Sequence, residues 1–145
     1  MTPVDTKKRA GDGQLLRTAP EWLAERSFRH GDIPAVRQFA RSLGARAGMR
    51  PGRLNDFVLA ASEATASATA RGPCTARVRL WVTGHRAYCE VRSDGALARR
   101  HEGSVPARPG EEEALRHWVL RRLADYVSVA SGSDGIWVLL SMAVA

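Results

Sequence analysis

The chain has only two cysteines among its 145 residues, Cys74 and Cys89. A disulfide scaffold needs a far higher density of cysteine, and a zinc site needs closely spaced ligand pairs, so neither class fits. The two residues could still fall on neighbouring strands, where a bridge could form. Their scarcity favours reduced, buried thiols in a cytoplasmic protein.

Long apolar runs are also missing. No stretch of about 18 apolar residues occurs, so the sequence predicts no membrane span and no membrane partner. The basic residues Lys7, Lys8 and Arg9 are not followed by an apolar segment, so no secretory signal is predicted. Residues 1–20 are polar and predict a disordered leader, which leaves residues 21–145 as one domain.

Acidic residues are outnumbered, with 15 Asp and Glu against 22 Lys and Arg, for a net charge of +7. A basic surface favours acidic partners such as nucleic acid, nucleotide phosphate or an acidic protein face. The basic residues are scattered, and aromatic residues make up only 6% of the chain. A basic nucleic-acid-binding α+β domain therefore stays an alternative, but direct nucleic-acid binding is not the preferred prediction.

The clearest helical pattern runs from Arg50 to Gly72. Pro51 suits a first helical turn, and Gly72 followed by Pro73 predicts the end of the helix. One face is predicted to be buried because its residues follow helical spacing: Leu54, Phe57, Val58, Ala61, Thr65 and Ala68.

A second face of this helix carries Glu63, Ser67 and Arg71, which are spaced i, i+4, i+8. A polar row set apart from a core stripe can face a cavity, and the alanines between allow close approach of a sheet or a ligand. The alternative is that Glu63 and Arg71 are solvated surface residues.

The remaining pattern predicts short strands and two further helices. The predicted elements, in order, are a strand within 22–30, a helix over 35–47 capped by Asp32, a hairpin of strands 76–82 and 87–92, a loop over 96–110, a helix over 111–125 and a final hairpin of 127–130 with 136–144. This order predicts an α+β, two-layer sandwich. Its mixed, mostly antiparallel sheet would be covered on one face by three helices.

Three stretches carry a resemblance to a known family: FVLAASEATASATARG, YCEVRSDG and WVLRRLADYVSVASGSDGIWVLLSM. Together they place the span from about Glu25 to Val144 among sequences similar to the small GHKL (Bergerat-fold) ATP-binding domains of bacterial anti-sigma serine kinases. The resemblance implies a fold that binds ATP and Mg²⁺ beside the central helix.

Carried over from the family, Glu63 stands at the catalytic glutamate. Ser67 stands where the family has the asparagine that helps hold Mg²⁺ and phosphates, and Arg71 stands where a histidine often follows. At the adenine-binding Asp-x-Gly motif, Gly95 aligns with the glycine and Ser93 with the aspartate, while Asp94 is shifted by one residue. Such a shift turns a strand side chain to the other face.

The glycine-rich lid of the family is replaced by Glu113-Ala-Leu-Arg116, preceded by two more glutamates. Glycine lets the backbone approach phosphates, and clustered carboxylates repel them. The resemblance therefore implies a regulatory, anti-sigma-like protein with weak or lost ATP binding. It would bind a sigma factor or an anti-anti-sigma (STAS-type) protein, and a homodimer is also implied.

The enzymatic alternative is an active ATP-dependent serine kinase with Glu63 as base and Ser67 as Mg²⁺ ligand. If the protein instead acts by binding another protein, the candidate contacts are exposed arginines of the helix over 35–47, namely Arg37, Arg41 and Arg46.

Overall fold

The computed structural model describes residues 22–70, 74–93, 117–132 and 135–145. The predicted leader over 1–20, the predicted loop over 96–110 and the first part of the predicted third helix lie outside these residues. Of the candidate site residues, Arg71, Asp94 and Gly95 also lie outside them.

Two helices follow the first strand. Helix α1 spans Ile33–Arg46 and helix α2 spans Pro51–Ala68. Gly48 separates them with a φ of 81°, a left-handed conformation that glycine adopts without strain. The two helices pack closely at Gly44, where a Cβ would collide with Leu54 Cδ1. A third helix, α3, is described over residues 117–123.

The predicted caps need one correction. Asp32 occupies the N-cap position of α1, but its side chain makes no capping hydrogen bond to the helix. Its Oδ2 instead accepts from the backbone N of Arg29 at 3.1 Å. The carboxylate therefore stabilises the turn between strand and helix, while Pro34 sits in the first turn as predicted.

Five strands form one sheet in the order β1-β2-β3-β5-β4. Their bounds are Trp22–Arg29, Thr75–Thr83, Arg86–Ser93, Tyr126–Gly132 and Gly135–Ala143 for β1 to β5. All four pairings are antiparallel, so the sheet is wholly antiparallel within the described residues rather than mixed. The α+β sandwich is confirmed.

The core lies between the helices and one face of this sheet. Alternate residues of the central strands point into it, as the period of two predicts. The predicted core face of α2 is confirmed, with Leu54 partly buried and the other five residues buried. The buried sheet residues on this side include Val78, Leu80, Cys89, Val91, Val138 and Leu140. The opposite face of the sheet, called the outer face below, points away from the helices.

Candidate functional site

The Glu63–Ser67–Arg71 face of α2 is only partly described. Glu63 is half-buried and lies on the most exposed stripe of α2, beside Leu59 at i−4. Ser67 is 3% exposed. A hydroxyl at this depth has little access to a solvated ion, so the described part of this face offers few groups to a magnesium–nucleotide complex.

Ser93 ends strand β3 on the side of the sheet that faces the helices. Its Oγ accepts a hydrogen bond from the backbone N of Ile136 at 2.7 Å. This bond continues the contact between β3 and β5 one residue past the paired Arg92 and Trp137. The Ser93 hydroxyl is thus used within the sheet.

The outer face carries a feature that the sequence pattern did not reveal. One residue from each strand lies in register across the sheet, and the backbone pairings place all five side by side. At the usual strand spacing this row is roughly 19 Å long. We call it the aromatic row. Its members, one each from β1, β2, β3, β5 and β4 in that spatial order, are Leu23, Trp81, Tyr88, Ser141 and Tyr126.

Two rings of the aromatic row stack on each other. Trp81 and Tyr88 have ring centroids 5.1 Å apart and planes only 3° from parallel. Both rings are half-buried, while Leu23 beside Trp81 is 55% exposed. Cross-strand aromatic pairs of this kind stabilise the sheet and hold both rings in one orientation.

The neighbouring row is ionic. Glu90, only 2% exposed, is its centre. Trp137 Nε1 donates to Glu90 Oε2 at 2.8 Å, and Arg79 Nη1 donates to Glu90 Oε1 at 3.4 Å. Arg92 adds an ion pair at 3.8 Å. A buried carboxylate requires such partners, because its desolvation would otherwise cost several kcal/mol.

Positive charge predominates among the described residues of the outer face. The described residues of this face include two glutamates, Glu25 and Glu90, and five arginines: Arg29, Arg77, Arg79, Arg86 and Arg92. Glu25 already pairs with Arg77 at 3.1 Å and with Arg79 at 3.6 Å. The paired glutamates leave an excess of positive charge beside the aromatic row.

A second polar cluster fastens α2 to the sheet. Asp125 Oδ2 accepts from Arg53 Nη2 at 2.7 Å and from the backbone N of Ala143 at 2.7 Å. Arg53 Nε also donates to the carbonyl of Ala143 at 3.2 Å. These bonds, foremost the one from Ala143, hold the pKa of Asp125 below its usual range. We infer that this cluster stabilises the fold.

The two cysteines are not joined by a disulfide. Cys74 is half-buried, and Cys89 is buried in the core beneath β3. Burial, and secondarily the negative charge of Glu90, raise the pKa of the Cys89 thiol. Because the thiolate is the reactive form, Cys89 is a packing residue rather than a nucleophile.

Comparisons with known proteins add no family assignment: neither the search of protein families nor that of curated proteins finds a match for this chain. Within the described residues, no helix is long and apolar enough to cross a membrane. The same residues contain no group of three His, Cys, Asp or Glu side chains placed to hold a metal ion.

Sequence reasoning missed the outer face for a physical reason. Trp81 and Tyr88 are seven residues apart, Leu23 lies more than fifty residues earlier and Tyr126 nearly forty later. Only strand order and register bring them together. The local signal was the alternation around Trp81 and Tyr88, which marks the side chains that point away from the core.

Proposed function

We propose that this protein is a cytoplasmic regulatory protein that acts by binding another protein and binds ATP weakly or not at all. The partner class follows the resemblance to anti-sigma factors: a sigma factor or a STAS-type anti-anti-sigma protein. A homodimer remains compatible with this proposal. The kinase alternative is kept as an outcome of the experiment below.

The observation that carries the proposal is the hydrogen bond from Ile136 N to Ser93 Oγ. In the family that the sequence resembles, a carboxylate at this position accepts from the adenine amino group. Here a neutral hydroxyl already accepts from the backbone, so adenine would have to share or displace that bond. The burial of Ser67 reduces access to the position of the Mg²⁺ ligand in the same way.

The first experiment measures nucleotide binding directly. Calorimetric titration of the intact protein with ATP and Mg²⁺ should give no heat at millimolar nucleotide. The Glu63→Ala variant serves as the matched control. Any heat of nucleotide binding that this variant retains does not depend on the candidate catalytic side chain. A dissociation constant below about 100 μM, or some −5.5 kcal/mol, would favour the kinase alternative instead.

The second experiment measures regulation. The protein is added to run-off transcription by RNA polymerase carrying each sigma factor of its host, with and without ATP. We expect one sigma factor to be inhibited equally in both conditions, or inhibition to be relieved by a STAS-type protein without phosphorylation. Phosphoryl transfer to a serine of that protein would contradict the proposal and would favour the alternative that the protein is an active serine kinase.

A further inference from the structure

We propose that the exposed part of the outer face, on β1, β2 and the start of β3, binds an acidic protein segment that also carries apolar side chains. Leu23 and the stacked Trp81 and Tyr88 would anchor its apolar groups, and Arg77 and Arg86 would pair with its carboxylates. The inference rests on the proposed function, in that it names the surface through which a protein partner is held.

The apolar part of this surface is prearranged. Leu23 is 55% exposed at the edge strand β1, directly across from Trp81 in the sheet. The parallel contact between Trp81 and Tyr88 fixes both rings before binding. Fixed aromatic side chains lose little conformational entropy when a partner covers them, and Trp, Tyr and Arg dominate the energetic centres of protein interfaces.

The charged part selects an acidic partner. The Arg77 side chain is 62% exposed, and its pair with Glu25 is a solvated surface contact that a second carboxylate can share. Arg86 Nη2 donates to Ser141 Oγ at 2.9 Å and lies 3.9 Å from Asp125 Oδ2, a long, half-exposed pair that a second carboxylate can share. Complementary charge at the rim steers association and suppresses basic partners.

Single-stranded nucleic acid fits this surface less well. Base binding on a sheet requires free aromatic ring faces on which bases stack. Trp81 and Tyr88 each cover one face of the other, and the guanidinium of Arg79 lies 6.0 Å from the centroid of the Trp81 ring. These contacts occupy ring faces on which a base would stack, whereas the exposed parts of the half-buried rings can still contact apolar side chains.

A second copy of the chain is also disfavoured. A two-fold interface would place the outer face against itself. Since arginines outnumber glutamates on this face, such a dimer would bring like charges together. The charge balance therefore points to a partner of different composition.

The test uses three defined probes and fluorescence anisotropy at moderate salt: a labelled random Glu–Tyr copolymer, poly-glutamate and oligo-dT. The intact protein is compared with Leu23→Ser and Arg77→Glu. The matched controls are Leu59→Ser, which changes an apolar residue that is 43% exposed on α2, and Arg121→Glu, which reverses an exposed arginine on α3. Thermal unfolding confirms that each variant is folded.

We expect the copolymer to bind more tightly than poly-glutamate. Each outer-face variant should weaken copolymer binding about tenfold, or about 1.4 kcal/mol, while both controls leave it unchanged. Absence of copolymer binding, equal binding of poly-glutamate, or equal effects of the control variants would overturn the proposal. Stronger binding of oligo-dT that the outer-face variants abolish would assign the face to nucleic acid instead.

Sedimentation of the same proteins tests the second copy. A concentration-dependent dimer that Leu23→Ser dissolves would overturn the proposal in favour of self-association. The outcomes also separate this inference from the proposed function. Copolymer binding without any effect on transcription leaves the inference standing alone, whereas transcriptional inhibition that the outer-face variants do not alter leaves only the proposed function.

Discussion

Glu90 joins three side chains of the outer face although it lies on a surface that faces away from the core. Its carboxylate is bonded to Trp137 on β5 and to Arg79 on β2, and pairs with Arg92 on its own strand. A charge this deeply buried is stabilising only while all its partners remain. The pairing register of β2, β3 and β5 therefore depends on this one side chain.

We expect Glu90→Ala to lower the free energy of unfolding by about 3 kcal/mol, since it leaves Trp137 Nε1 and the arginines without their shared acceptor. Glu90→Gln should cost less, because an amide oxygen can still accept from Trp137. Urea denaturation followed by circular dichroism measures both. Glu25→Gln is the matched control on an exposed carboxylate, and its effect should stay within about 0.5 kcal/mol. Equal effects at Glu25 and Glu90 would contradict this assignment.

Asp125 predicts a pH dependence of stability. Its pKa is lowered in the folded protein, chiefly by the hydrogen bond from Ala143 N and then by Arg53 and Arg86, while partial burial acts in the opposite direction. A lowered carboxyl pKa contributes stability that is present above the unfolded pKa and is lost as pH falls through the folded pKa. The side chain is 38% exposed, so screening reduces the contribution.

The measurement is the melting temperature of Asp125→Asn and of the unchanged protein between about pH 7 and about pH 2.5. At neutral pH the variant should melt lower by about 3 °C, which corresponds to roughly 1 kcal/mol in a domain of this size. The difference should begin to shrink below about pH 4, near the pKa of the unfolded carboxyl, and should be lost as pH falls through the lower pKa of the folded state. A difference that stays constant with pH would mean that packing, rather than charge, holds this position.

At the scale of elements, α2 is buried on most of its circumference. Its small residues, Ala60, Ala61 and Ala64, are fully buried and allow neighbouring elements to approach the helix backbone. Phe57 supplies the largest buried side chain of this helix. Leu59, only two positions later, points to the exposed stripe. Periodicity alone separates these two apolar residues.

We expect Phe57→Ala to cost about 3–5 kcal/mol, because it removes a large buried ring and leaves a cavity. Leu59→Ala should change the free energy of unfolding by no more than about 0.5 kcal/mol, since this side chain is 43% exposed. Chemical denaturation of the two variants in parallel provides the comparison. A large effect at Leu59 would indicate that this stripe is covered in solution.

At the scale of the whole molecule, the strand order gives the sheet an unequal stability. Strand β3 lies between β2 and β5, and β5 lies between β3 and β4, whereas β1 and β4 each pair with one described neighbour. Amide hydrogen exchange should therefore be slowest at Cys89 and Leu140, which are paired across the centre, and faster in β1.

Native-state hydrogen exchange tests this order residue by residue. Slow exchange in β1, equal to that of β3, would mean that its outer edge is paired in solution. An unpaired edge is a common site of association between chains, so this result would require measurement of the oligomeric state. Protection that is lost upon dilution would assign the pairing to a second copy.

The sequence by itself determined the elements and the faces they bury. The change of period from 3.6 to 2 after Gly72 placed α2 and the hairpin of β2 and β3 to within a few residues, because periodicity depends on local backbone geometry. It also identified Glu63, Ser67 and Ser93 as candidates, though not that Ser93 would bond to Ile136.

Only the tertiary structure decided which side chains meet. Leu23, Trp81 and Tyr88 become neighbours because β1 pairs with β2 in one register, and a shift of one residue would turn each of them to the other face. The acceptor role of Glu90 likewise depends on a pairing between strands more than forty residues apart. Such contacts arise from the packing of the whole core, and local sequence patterns do not predict them.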